Sequence, residues 1–360
     1  MKYIIFFPTN VWTSLIMSCY YQERISRLTV NFKIILFVSD EDGAEYDNLI
    51  KEHWKEIEHE KEFINYENID YRNQEIINQL IKKIKLEEDD VEAIVISNRV
   101  NLRKLKKLFR PNQIVDVEHG ISDLIFWLKR VNLIKNKGVM DFFRVSQIWT
   151  YCTWPAKQHL TLVNKSKISD PNIYNLNVEL FKNKLQSHSR KYSTENFEIV
   201  ILIERLDVYG KVKAKEYIEK IIHSINLDLR SKNATHCNVL IKQRYGSVIK
   251  VKAFKDIIEQ ILYEYSIYFA IDFAPENIPA EYLIFNNNLK YLYAVGISTA
   301  LNLNALKVEF KNIIYIDTHL SASTSILNNQ SELLPQFKEK KINERIFEIE
   351  NSLAQITESI

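Results

Sequence analysis

The sequence is poor in the residues that usually interrupt or cross-link a chain. Among 360 residues there are only six glycines, seven prolines and three cysteines. Cys19, Cys152 and Cys237 lie far apart and show no spacing typical of a metal site. An odd number of cysteines without a disulfide framework indicates a reducing compartment. Because glycine is so scarce, a glycine at the end of an apolar run indicates a turn or a close approach of a ligand.

Long apolar runs and a strong net charge are also missing. No segment approaches the roughly 18 uninterrupted apolar residues of a membrane span. The opening run over 3–7 stops at Pro8, short of the roughly 7–15 apolar residues of an export signal, and predicts a first strand. With 48 basic and 46 acidic residues the net charge is +2, too weak a field to indicate nucleic acid binding. We therefore expect a soluble cytoplasmic protein with no nucleic-acid partner.

Short apolar runs alternate with longer helical patterns in both halves of the chain, which is typical of βαβ units and of a mostly parallel sheet. The first half has predicted strands at 3–7, 33–39, 92–97 and QIVDV before Glu118, with a helix around 11–26. The second half has predicted strands at 197–204, 237–242, 266–272, 289–298 and 311–317, with helices near 213–225 and 254–265.

The pattern predicts two α/β domains joined by a linker. We place the first domain at 1–155 and a polar linker without a clean period at 156–195. The second domain follows at 196–335, and residues 336–360 form a C-terminal segment with an amphipathic helix over about 337–357.

Two acidic stretches in the first half have simple structural interpretations. KEHWKEIEHEKE at 51–62 carries His53 and His59 among acids, and we interpret it as a solvated helix face rather than a metal site. EDG at 41–43 precedes a charged helix and is interpreted as a capping turn.

Glu118 and Gly120 directly follow the apolar run QIVDV. In a parallel α/β sheet, ligands bind beyond the carboxyl ends of the strands, where Glu118 would stand against an apolar wall. Partial loss of water there raises the pKa of a carboxyl group toward the range of a general base. Gly120 allows a turn or a close ligand approach. The alternative is a strand-end turn in which Glu118 or Asp123 caps the next helix.

Two cations and a glycine follow the predicted strand at 237–242. Lys242, Arg244, Gly246 and Ser247 lie within one short stretch, a composition that suits a phosphate group. The alternative is an ordinary basic turn at the surface.

A third candidate combines two stretches of the second half. Pro279 begins a predicted helix with Glu281 in its first turn, and Gly296 ends a strand shortly before Ser298 and Thr299. Hydroxyl and backbone N–H groups at the amino end of a helix form an anion site. The alternative is simple capping by Ser298.

Together these motifs resemble those of the GT-B bacterial sialyltransferases, the lipooligosaccharide sialyltransferases and capsule polysialyltransferases that use CMP-sialic acid. That family has an acid-acid-glycine motif, a lysine-containing stretch ending in His-Pro, and a Ser-Ser or Ser-Thr pair. The resemblance implies a GT-B-like α/β fold: two Rossmann-like parallel-sheet domains with the active site in the cleft between them.

The resemblance also implies a role for each matching residue. Glu118, as the first acid of the motif, would deprotonate the acceptor hydroxyl, and His119, in place of the second acid, would assist the proton transfer. Glu281 would bind the ribose hydroxyls of CMP, while Ser298 and Thr299 would hold the phosphate or carboxylate of the donor. The other residues expected in the donor site are Gly246, Ser247, Pro279 and Gly296.

The chain departs from the family where IKQRYG stands in place of His-Pro. Lys242 or Arg244 would then supply the positive charge that offsets the leaving phosphate. His236, at the other end of the strand, is less well placed.

The resemblance implies an inverting transfer of sialic acid or a related sugar from a CMP donor to a glycan acceptor, with no cofactor and no bound metal. The alternatives are another donor, such as a UDP-sugar, a CMP-activated polyol or CMP-Kdo, or a noncatalytic nucleotide-sugar-binding protein. A surface-glycan product would suit peripheral contact with the inner face of the membrane. The basic stretch at 103–110 is a candidate for that contact, or else a solvated helix face.

Overall fold

The computed structural model describes residues 2–66, 90–97, 113–117, 158–162, 173–192, 197–264, 268–295, 313–318 and 337–341, apart from positions 9, 30, 40–43, 204–205, 207–209, 235, 245–246 and 286–288. The chain divides into two compact units, with the boundary between Leu185 and Gln186. Each unit is built around its own sheet.

The described strands of the first unit are all parallel and follow the order β3-β2-β1-β4-β5-β6-β7. This is the strand order of a Rossmann-type sheet, in which the order reverses between the first and fourth strands. The strands are β1 (Lys2–Phe7), β2 (Phe32–Ser39), β3 (Lys61–Tyr66), β4 (Val91–Ser97), β5 (Ile114–Val117), β6 (Gln158–Thr161) and β7 (Ile173–Asn175).

Helix α1 (Val11–Tyr20) begins directly beyond the carboxyl end of β1, and all of its residues are buried. Its first turn is closed by a capping box, since the Asn10 side chain accepts from the Thr13 N–H at 2.7 Å and the Thr13 hydroxyl oxygen accepts from the Asn10 N–H at 3.1 Å. A π-helical turn, Tyr21–Ile25, continues α1. The other described helices of this part of the chain are α2 (Ala44–Glu52) and α3 (Val178–Ser189), and the boundary between the units falls within α3.

The second unit repeats the Rossmann-type order as β10-β9-β8-β11-β12-β13. Its first five strands are parallel, and β13 runs antiparallel to β12 at the edge. The strands are β8 (Ile199–Ile203), β9 (His236–Gln243), β10 (Tyr268–Phe273), β11 (Tyr291–Val295), β12 (Ile313–Thr318) and β13 (Phe337–Lys341).

Helices cover both faces of the second sheet because its central strands are apolar on both sides. Along β8, Ile199 and Ile201 pack with the long helix α4 (Gly210–Ser231) and with α5 (Lys255–Tyr263). Val200 and Leu202 point to the other face and pack with the short helix α6 (Ala280–Ile284). A 3-10 turn precedes α5 at Val251–Phe254.

The prediction of two Rossmann-like parallel-sheet domains is confirmed by these strand orders. The predicted linker at 156–195 needs correction, however, because it contains β6 and β7, both of which belong to the first sheet, and the helix α3. Strands of four and three residues are too short to display a period, so only the pairing of β6 with β5 and of β7 with β6 identifies them.

Two predicted helices also need correction. The helix predicted over 337–357 begins instead as β13, which pairs Glu339 with Ile316 of β12. Its charged residues are typical of a strand that protects the edge of a sheet. The charged run at 51–62 is not a helix face, because α2 ends at Glu52 and His53 is buried in the turn that follows.

Candidate functional site

The strands β8, β9 and β10 end side by side in the second unit. The register pairs Ile241 with Phe273, the last residue of β10, and the Ala274 N–H donates to the Ile241 carbonyl at 2.9 Å. On the other side of β9, the Arg244 N–H donates to the carbonyl of Ile203, the last residue of β8, at 2.8 Å. The segments that follow these strands therefore start at one edge, the carboxyl edge, where Rossmann-type sheets bind ligands.

Lys242 is a buried lysine at this edge, with only 4% of its surface exposed. It shares a strand face with Leu240, which packs in the cluster around α6. Its Nζ donates to the carbonyl of Gln243 at 2.8 Å and to the carbonyl of Glu276 at 3.0 Å. An ammonium group has three N–H donors, so two of the three are bound to backbone carbonyls. Within the described residues, the third has no acceptor.

Burial lowers the pKa of Lys242 to about 8, because the charged form loses hydration. The carboxylates of Glu276 and Glu281 act in the opposite direction and favour the charged form. Glu276 lies in the loop after β10, where its Oε2 accepts from the Nζ of Lys250 at 2.6 Å. Glu281 is buried in the first turn of α6, immediately after Pro279 and Ala280. The site therefore holds one buried cation with two acids near it.

Gln243 and Ser247 form a buried network that shapes the loop after β9. The Gln243 amide donates to the Ser247 hydroxyl at 2.9 Å and to the Ile249 carbonyl at 2.8 Å, and its oxygen accepts from the Val251 N–H at 2.8 Å. The Ser247 hydroxyl in turn donates to the Ile249 carbonyl and accepts from the Leu206 N–H. The hydroxyl of Ser247 thus makes its hydrogen bonds inside the protein. These bonds hold the loop after β9 in place at the carboxyl edge of the sheet.

Arg244 and His236 occupy opposite ends of the β9 region. Arg244 is exposed and directly follows the strand, two residues after the buried Lys242. His236 is the first residue of β9 and stacks on Tyr268, the first residue of β10, with ring centroids 5.1 Å apart. It therefore lies at the amino edge of the sheet, away from Lys242, and belongs to a different surface.

The structure brings five of the predicted site residues to the carboxyl edge of the second sheet or to the segments that follow it: Lys242, Arg244, Ser247, Pro279 and Glu281. The other six lie outside the described residues: Glu118, His119, Gly246, Gly296, Ser298 and Thr299. The stretches at 41–43 and 103–110 lie outside them as well.

A buried acid–imidazole pair in the first unit escaped the sequence reasoning. Asp116 of β5 and His159 of β6 are register partners, and the His159 Nδ1 lies 2.7 Å from the Asp116 Oδ2. Both side chains are almost fully buried. A charged residue inside the apolar run of β5 was a visible signal, but its partner fell in the predicted linker. The pair cross-links the neighbouring strands β5 and β6.

The described part of the chain shows neither a metal-binding cluster nor a membrane-spanning helix. It contains no group of three or more His, Cys, Asp or Glu side chains placed to hold a metal ion. None of its helices is both long enough and apolar enough to span a bilayer. Of the cysteines, Cys19 and Cys237 are buried and not joined in a disulfide.

No protein-family model and no curated protein sequence matches the chain. Solved structures match it at low identity. A sialyltransferase from Photobacterium damsela is 11% identical, with a TM-score of 0.48 and coverage of 99% of this chain and 79% of the other. A ugt transferase from Siraitia grosvenorii, in complex with UDP, is 8% identical, with a TM-score of 0.47 and coverage of 99% and 94%. A UDP-GlcNAc 2-epimerase from Neisseria meningitidis, bound to UDP-GlcNAc, is 11% identical, with a TM-score of 0.43 and coverage of 100% and 95%.

Proposed function

We propose that the chain is a glycosyltransferase that takes a sugar from a nucleotide donor bound at the carboxyl edge of the second sheet. The observation that carries this proposal is the environment of Lys242. It is a buried ammonium group at the ligand-binding edge of a Rossmann-type sheet, and two of its three donors are bound to carbonyls. Its remaining donor binds a phosphate oxygen of the nucleotide. A positive charge fixed in a site of low polarity is well suited to stabilise a leaving phosphate.

The proposed donor is a CMP-activated sugar of the sialic acid type. Glu281 supports a ribonucleotide donor, because its carboxylate only accepts hydrogen bonds and therefore suits the two hydroxyls of a ribose. It lies in the first turn of α6, close enough to Lys242 to favour its charged form. The choice of CMP rests on the sequence Pro279-Ala280-Glu281, which resembles that of the bacterial sialyltransferases, which bind CMP-sialic acid.

The proposed reaction is a single displacement with inversion. Glu118 accepts the proton of the acceptor hydroxyl, a role that rests on the resemblance of its acid-glycine motif. The acceptor oxygen then attacks the anomeric carbon of the donor sugar, and the bond from that carbon to the phosphate oxygen breaks. CMP leaves with the electron pair, and Lys242 and Arg244 offset its negative charge. In this scheme side chains, rather than a metal, stabilise the phosphate.

Calorimetric binding of CMP, UMP and UDP tests the donor site. We expect the wild-type protein to bind CMP more tightly than the other two nucleotides. Lys242→Met removes the buried charge and is expected to weaken binding on the order of tenfold or more. Lys252→Met, which removes an exposed lysine, is the matched control and should leave binding unchanged. Ser298→Ala is also expected to weaken CMP binding.

The outcomes separate the alternatives. A preference for UDP keeps a nucleotide-sugar transferase but discards the CMP donor. No binding of any nucleotide refutes the proposal. Glu118→Gln is expected to abolish transfer from CMP-sialic acid while CMP binding persists. Unchanged transfer in that variant removes Glu118 from the mechanism, and CMP binding without transfer by the wild-type protein favours a noncatalytic binding protein.

A further inference from the structure

Glu276 joins the two loops that border the candidate donor site. It lies in the loop after β10, and its backbone carbonyl accepts from the Nζ of Lys242 at 3.0 Å. Its carboxylate accepts from the Nζ of Lys250, in the loop after β9, at 2.6 Å. One residue therefore contacts both the buried lysine of the site and the neighbouring loop. Sequence motifs gave no reason to select it.

The charges around Lys242 come from each segment packed near it. Glu276 contributes a carboxylate from the loop after β10, and Glu281 contributes one from α6. The cations of the same edge are Arg244, two residues further along the chain, and Lys250, which pairs with Glu276. Of the two acids, Glu276 has the larger effect on the pKa of Lys242, and it opposes the lowering that burial causes. Loss of the Glu276 charge should therefore lower the pKa of Lys242 further, because less charge then opposes the effect of burial.

We propose that Glu276 is a positioning residue of the donor site, which holds the ammonium group of Lys242 charged and in place for a phosphate oxygen of the nucleotide. Its carbonyl fixes the position of the ammonium group, and its carboxylate, held by Lys250, supplies the compensating charge. This role rests on the proposed function for the identity of the ligand. The arrangement of Lys242, Glu276 and Lys250 does not depend on that identity.

Lysine-selective carbon-13 NMR tests the proposal on the whole protein, with the Cε signal of Lys242 assigned by its loss in Lys242→Met. We expect the signal to titrate near pH 8 in the wild-type protein. Glu276→Gln keeps the backbone carbonyl but removes the charge, so the midpoint should move to lower pH. Glu276→Asp keeps the charge and should restore the midpoint in part.

Glu259→Gln is the matched control. Glu259 pairs with Lys255, and the two side chains are 32% and 47% exposed, against 29% for Glu276 and 51% for Lys250. The control should titrate like the wild-type protein. Equal midpoints in the wild-type protein and Glu276→Gln, or the same shift in Glu259→Gln, would overturn the proposal, because Glu276 would then only tie the loops together.

CMP binding as a function of pH provides a second readout. A fall of the midpoint by half a unit, from about pH 8 to about pH 7.5, reduces the charged fraction at pH 8 from about a half to about a quarter, and so weakens binding about twofold. The loss should be much smaller near pH 6.5, where Lys242 remains largely charged in every variant that retains it. If no nucleotide binds to any variant, the proposed function fails, whereas the NMR midpoints still decide the role of Glu276.

Discussion

Replacement of Lys242 by methionine should change how the stability of the protein depends on pH. In the folded protein the pKa of this lysine is about 8, against an ordinary value of 10.5. Between these two values the unfolded chain binds more protons than the folded chain, so the contribution of Lys242 to the free energy of unfolding rises with pH. Below about pH 8 both states are protonated, and the cost of burying the charge is fully present.

The size of the effect follows from the same two values. They differ by about 2.5 pH units, which at about 1.4 kcal/mol per unit corresponds to about 3–4 kcal/mol over the whole titration. Lys242→Met removes the buried charge and with it this dependence. The variant also leaves the carbonyls of Gln243 and Glu276 without a donor, which costs about 1 kcal/mol each but does not vary with pH. The stability of the variant relative to wild type should therefore fall by about 3 kcal/mol between pH 8 and pH 10.5.

Urea unfolding at a series of pH values measures this difference. All five tryptophans lie within the first 154 residues, so their fluorescence reports on the first unit, whereas far-UV circular dichroism reports on both. The effect should appear in circular dichroism. Lys252→Met, at an exposed position, should follow the wild-type protein throughout. A difference between Lys242→Met and wild type that does not vary with pH would refute the reasoning, because the charge would then be hydrated in the folded state.

Two further predictions concern buried hydrogen bonds. Gln243→Met removes three hydrogen bonds and should lower the free energy of unfolding, measured by circular dichroism, by about 2–4 kcal/mol. Gln260→Met, at an exposed position, should change it little. Equal stabilities of the two variants would contradict a stabilising role for the Gln243 hydrogen bonds. His159→Phe removes the imidazole partner of Asp116 and should lower the free energy of unfolding of the first unit, measured by tryptophan fluorescence, by about 3 kcal/mol. A decrease of less than about 0.5 kcal/mol would show that the pair contributes little to stability.

Most strands could be predicted because each is a short apolar run with its own local signal. The segment Ile199–Ile203 is buried at every position, and such runs form strands in a sheet covered on both faces. The strands that escaped prediction lack this signal. FKEKK becomes a strand because β12 offers an unpaired edge, and IYN becomes one because β6 lies beside it. Their conformation depends on partners distant in the sequence.

The candidate site divides in the same way. Lys242 and Glu281 were predicted because chemically suitable side chains followed predicted strands or began a predicted helix. Gln243 and Glu276 were missed, since a glutamine at the end of a strand and an acid in a loop carry no sequence pattern of their own. Ser247 was predicted to lie in the donor site, and its hydroxyl makes hydrogen bonds with Leu206, Gln243 and Ile249. Only the contacts distinguish a hydroxyl that shapes a site from one that faces a ligand.

The sequence by itself determined the α/β class, the repeated βαβ pattern and the two parallel sheets, because apolar periodicity is a local property of the chain. It also predicted which side chains at strand ends could bind an anion. The tertiary structure alone decided the charge state and the partners of those side chains. Lys242 donates to a carbonyl 34 residues away, and its pKa reflects burial and two acids from other segments. Loss of hydration and the effect of nearby charges depend on distances in space, so the pKa of such a side chain is determined only when the chain has folded.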